Sequence, residues 1–159
     1  MGYRSEVAII IQAREDRTFT LLRNGVVDES LREIHKLDKP TQEEEKWAMF
    51  LAEVAVKPKT ELAWREISSG INDDFGNTLE LDKEKRRITM NFPDVKWYEG
   101  SGKFEDVDSY MALFHSVQPY EHYIDAIYLY LGEDLEDMVE HNYGGGYSLA
   151  CIERSIVIN

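Results

Sequence analysis

YRSEVAIIIQ, residues 3–12, is the stretch whose reading decides the fold. Alternation puts Tyr3, Ser5, Val7, Ile9 and Ile11 on one face and Ala8 and Ile10 on the other. Strands with one wet face alternate apolar and polar residues, whereas a strand covered on both sides is apolar on both. The segment therefore predicts a central strand with something packed against each face. The closing stretch YSLACIERSIVIN, 147–159, has the same two-sided character. It is expected to be a second central strand, lying near the first.

Outward from the first strand, Asp16 is expected to cap a short helix with Phe19 and Leu22 inward, ended by Asn24-Gly25. Asp28 can cap another over DESLREIHKL. The strongest helix signal is TQEEEKWAMFLAEVAV, 41–56. Thr41 and Glu44 have capping-box spacing, and Glu43, Glu44 and Glu45 sit in the first turn, where the helix dipole favours anions. Trp47, Phe50, Leu51 and Val54 form one apolar stripe, and Pro58 bars continuation. A second clear helix is FEDVDSYMALFHSV, with Val107, Tyr110, Met111 and Phe114 at helical spacing.

Strands are expected elsewhere. ELAWREISSGI leans to strand, and TLELDKEKRRITMNF reads as a hairpin that can continue past Pro93 into VKWYE. HYIDAIYLYL is a strand, and GEDLEDMVEHN is an acidic helix or turn. The expectation is a single α+β domain over 1–159, with a mostly antiparallel sheet of about five or six strands and two main helices on one face.

Charge narrows the function. The formal net charge is −13, which repels nucleic-acid phosphates and acidic membranes. From Glu99 onward, twelve acidic residues stand against Lys103 and Arg154, a balance of −10. That excess suits solubility, or a surface that meets a basic partner. No apolar run is long enough to cross a membrane. The opening residues read poorly as a signal peptide, and the lone Cys151 forms no internal disulfide, so a cytoplasmic setting is expected.

Glu133, Glu136, Asp137 and Glu140 have the spacing of one helix face, with Asp134 at its edge. They are either a solvated face or a docking stripe for Lys and Arg on a partner. The D-x-[DN]-x-[DN]-G calcium-loop spacing is absent, so no metal is expected there. Trp97 and Tyr98 are core residues or exposed binding anchors, and they are placed with Glu133, Asp134, Glu136, Asp137 and Glu140 as the expected partner-contacting residues. His115, His122 and His141 lie on separate elements, and spacing does not group them. His122 with Tyr120 and Tyr123 could stack a ring, or simply pack on the sheet. Gly144-Gly145-Gly146 precedes a strand and follows acids, so it reads as a flexible turn rather than a phosphate cradle. No cofactor motif occurs, and no nucleophile and base have spacing that local structure would bring together.

M-G-Y-R-S-E-V-A at the start, V-K-W-Y at Val95–Tyr98, G-E-D at Gly132–Asp134 and E-R-S-I at Glu153–Ile156 form a set of four stretches. Together they resemble a group of small uncharacterised proteins of tailed bacteriophages. The segment from Arg14 to about Asn77 has no counterpart in that resemblance. The group has no established activity, so it assigns no residue a role. It implies a phage gene product in the host bacterial cytoplasm. The expected function is an acidic accessory protein that binds and blocks a basic host surface, as an inhibitor of CRISPR or restriction defence would. A small-molecule or signal-nucleotide protein or small hydrolase, using for instance His115, His122 and Glu133, and a virion or assembly accessory are the alternatives.

Overall fold

The structure is a computed structural model that describes residues 5–26, 39–54, 65–66, 71–72, 78–95, 97, 105–133, 137–153 and 156–159. Strand β1, Ser5–Ala13, is central as its two-sided apolar pattern requires. It pairs antiparallel with β5, Arg87–Val95, on one side and with β6, Ile124–Leu131, on the other. Beyond β5 lies β4, Thr78–Asp82, and beyond β6 lies β7, Met138–Tyr143. The main sheet thus runs β4-β5-β1-β6-β7 with antiparallel neighbours throughout. Two short strands extend it at β4: β2, Arg65–Glu66, pairs parallel, and β3, Ile71–Asn72, antiparallel.

The hairpin 78–92 forms as expected. Its second strand passes Pro93 because the pairing register slips there: Val7 faces Phe92 while Ser5 faces Val95. The extra residue on β5 is a bulge, which is where an interior strand tolerates a residue lacking an N–H.

Helices cover one face. Among the described residues they are α1, Asp16–Val26, α2, Gln42–Val54, and α3, Glu105–His115. Val7, Ile9 and Ile11 pack with Phe19 and Leu22 of α1, Trp47 of α2, and Tyr110 and Phe114 of α3 in one buried cluster. The first helix is as long as the third and runs through Asn24 and Gly25, so that pair does not end it. Asp16 is its first residue, and Phe19 N–H donates to the Glu15 carbonyl. The capping box forms reciprocally: Glu44 N–H donates to Thr41 Oγ1 at 3.1 Å, and Thr41 N–H donates to Glu44 Oε1 at 2.9 Å. The proposed helix over 28–37 lies outside the described residues, as do most of 61–71.

The closing segment departs from expectation. It does not join the main sheet but folds into a separate antiparallel pair, β8, Ala150–Ile152, and β9, Ile156–Ile158. This hairpin covers the face opposite the helices, where Leu149 and Ala150 pack on Ile10, Ile127 and Leu129. Both sides of β1 already have hydrogen-bonded neighbours, so a second two-sided apolar segment is used as a lid. Ile156 N–H donates to Glu6 Oε1, and the Arg87 guanidinium donates to the Asn159 carbonyl, fastening it to the sheet.

The triple glycine docks the end of β7 against β6. Gly144 has φ of 59°, and a Cβ on Gly146 would lie 1.9 Å from the Ala126 carbonyl oxygen. Gly145 N–H donates to Asp125 Oδ1 at 2.7 Å, and the same oxygen accepts from Arg14. The turn is therefore a tight, backbone-to-backbone contact that larger residues would break.

Candidate functional site

The acidic segment is not a helix where it is described. Met138–Tyr143 is strand β7, so the four-carboxylate helix face does not form. The reason is pairing: Met138 through Tyr143 align in register with Leu131 through Ala126. A β partner paired along all six residues of M-V-E-H-N-Y outcompetes a short helix whose like charges would crowd one face. Gly132 N–H donates to the Asp137 carbonyl at 2.7 Å, closing the connection. Asp134 and Glu136 fall outside the described residues.

β7 is an edge of the sheet, since its one partner among the described residues is β6. Every side chain from Met138 to Asn142 is exposed. Val139 and His141 align with Tyr130 and Tyr128, on the helix side; Met138 and Glu140 align with Leu131 and Leu129, on the hairpin side. Met138 is 55 % and Val139 47 % exposed, so the edge is apolar as well as acidic. Glu133, Asp137 and Glu140 are all exposed around it. The Tyr130 hydroxyl, held by Ser5 Oγ, donates to Asp137 Oδ2 at 3.3 Å and orients that carboxylate.

Trp97 is 6 % exposed, with its ring against Phe92, Tyr110 and Tyr128 at 5.3–6.5 Å. It belongs to the core, which removes it from the surface a partner could reach. Tyr98 lies outside the described residues.

Two of the three candidate histidines meet in space. His115, at the end of α3, places Nδ1 2.6 Å from the Tyr143 hydroxyl, and its ring centroid is 5.3 Å from that of His141. Phe114 packs against both imidazoles. Burial pushes the Tyr143 hydroxyl pKa up, and the negative charge of Glu121 pushes it further. His122 is elsewhere: it is exposed, and its carbonyl accepts from Arg14 at 2.9 Å. His122 and Glu133 lie beyond opposite ends of the eight-residue β6, about 26 Å of extended chain, so they do not share a site. Cys151 is half-buried on β8. Among the described residues no three His, Cys, Asp or Glu side chains converge as a metal site.

A cleft of about 240 Å³ opens between α1, the start of α2 and the turn before β6. Trp47 and Tyr120 stack within it, ring centroids 4.4 Å apart, and the Tyr120 hydroxyl donates to the Glu43 carbonyl. Arg17 grips Glu44 with two nitrogens at 2.6 and 2.7 Å and also donates to the Lys39 carbonyl. That guanidinium is the main reason the Glu44 carboxyl titrates below its usual range, against the opposing effect of burial. Nothing in the linear spacing of Glu15, Glu43 and Tyr120 marks this cleft, because three distant segments build it.

No family model, curated protein or solved structure matches the chain. Among the described residues no helix is long and apolar enough to cross a membrane.

Proposed function

We propose that the chain is a phage-encoded stoichiometric inhibitor, working in the host bacterial cytoplasm, that covers a basic surface of a host protein. Its contact is β7 with the acidic connection before it. The observation that carries this reading is the exposure of Met138–Asn142 on β7, whose one partner among the described residues is β6, bearing Glu140 and flanked by Glu133 and Asp137. An edge strand presents unsatisfied N–H and C=O groups to any chain that can lie beside it. The carboxylates select which chain: like-charged edges are repelled, and Lys- or Arg-rich surfaces are steered in. Met138 and Val139 supply apolar area once the charges have brought the partner close. The net charge of −13 argues against nucleic acid as the target. The resemblance to tailed-phage proteins supports the setting, and a defence complex with a basic nucleic-acid channel has the surface such an inhibitor fits.

The test is capture from host lysate by the tagged chain, run beside two exposed-surface variants: the triple change Glu133→Gln, Asp137→Asn, Glu140→Gln, and the single change Val139→Lys, which blocks the edge. The expected result is a basic protein retained by the wild type, released as salt rises, and lost with either variant. Retention that ignores salt and both variants would sink this reading.

A further inference from the structure

We propose that the cleft between α1, α2 and the turn before β6 binds an alkylammonium group. The site shares no residue with the β7 edge, so it stands apart from the reading above. Three carboxylates and one guanidinium line it: Glu15, Glu43, Glu44 and Arg17. Arg17 and Glu44 neutralise one another through their two-point contact, and the Lys39 carbonyl takes a further guanidinium hydrogen. The cation is thereby committed and does not recruit an anion. Glu15 and Glu43 remain as exposed carboxylates with no side-chain hydrogen bond or ion pair among the described residues. Glu43 acts inside the cleft: burial first, and then the negative charges of Glu43 and Glu44, push the Tyr120 hydroxyl pKa up.

Three aromatic rings share the remaining walls with Thr18, Leu21 and Thr41. Trp47 and Tyr120 stack on one another, and Tyr123, 52 % exposed, completes the lining beside them. Aromatic rings with nearby carboxylates are the surroundings that favour an organic cation, because ring quadrupole and carboxylate charge attract it together. Size sharpens the choice. Drug-sized ligands occupy pockets of about 300–1,000 Å³, and this cleft is smaller. A nucleotide is too large and carries the wrong charge; an amine on a short alkyl chain fits both limits. The amine has two sources, a free polyamine or the lysine side chain of a protein.

The experiment uses the full ¹⁵N-labelled chain and follows the indole N–H resonance of Trp47, identified with Trp47→Phe. Spermidine and N-acetyl-lysine methylamide are titrated separately at constant ionic strength, with hexanoate as the oppositely charged control. A saturable shift with an amine and none with hexanoate is expected. Changing Glu15→Gln and Glu43→Gln together should weaken binding about tenfold without lowering the melting temperature, since both side chains are exposed. Tyr123→Ala should weaken it too. Tighter binding of spermidine assigns the site to free polyamines; equal or tighter binding of the lysine derivative assigns it to a protein side chain. No shift with either amine, an equal shift with hexanoate, or full affinity in the double Gln variant would overturn the proposal.

Discussion

Asp125 is the residue on which three parts of the chain converge. Its Oδ1 accepts from the Arg14 guanidinium, which follows β1, and from Gly145 N–H in the turn after β7. Burial by itself would raise its pKa; the Arg14 hydrogen bond and then the Gly145 N–H outweigh burial and hold it below 3.8. A carboxyl depressed in the folded state stabilises fully above its unfolded pKa and loses that contribution as pH falls through the folded value. Asp125→Asn should therefore melt below the wild type at pH 7, and the gap should narrow as pH drops below about 4. Melting temperatures of both proteins across an acid series check this; a gap constant with pH would mean the carboxylate charge contributes nothing. Asp125 had no signal in sequence, because its partners are 111 and 20 positions away.

At the level of elements, the start of α2 shows local chemistry and tertiary contact meeting in one side chain. Glu44 closes the capping box on Thr41 and, with both oxygens, binds Arg17 of α1. Thr41→Ala removes the hydroxyl that receives Glu44 N–H and should cost about 1 kcal/mol, read as a lower denaturation midpoint with unchanged slope. An unchanged midpoint would show that Arg17 holds the helix end without the cap. Thr41 and Glu44 were legible because a capping box spans only four residues. Glu140 was misread for the converse reason. Its helical spacing with Glu133, Glu136 and Asp137 is real, but residues 138–143 take their conformation from β6 beside them. Local spacing proposes an element; pairing over many residues decides it.

Across the whole molecule, self-repulsion is the dominant electrostatic condition. A chain at −13 pushes against its own compact state, and dissolved ions screen that push over about 8–10 Å at physiological ionic strength. The melting temperature should thus rise as sodium chloride goes from about 10 to 200 mM. This is opposite to the effect salt should have on partner capture, so the two measurements separate folding from binding. A melting temperature that falls with salt would show that attractive ion pairs such as Arg14–Asp125 and Arg17–Glu44 outweigh the net repulsion.

What the sequence by itself determined was whatever rests on residues near each other in the chain: the two-sided apolar β1, the capped α2 and the hairpin around Asp82. The tertiary structure decided the rest. It made the equally two-sided closing segment a covering hairpin, because β1 had no free edge to offer it. It buried Trp97 among Phe92, Tyr110 and Tyr128, where the sequence reading set it in the partner contact. It brought His115 to His141 and Glu15 to Tyr120 across segments with no common spacing. The physical reason is common to all of these. Periodicity and capping are written in hydrogen bonds a few residues long, whereas which face is covered, which edge stays open and which side chains share a cleft depend on contacts between segments far apart in the chain.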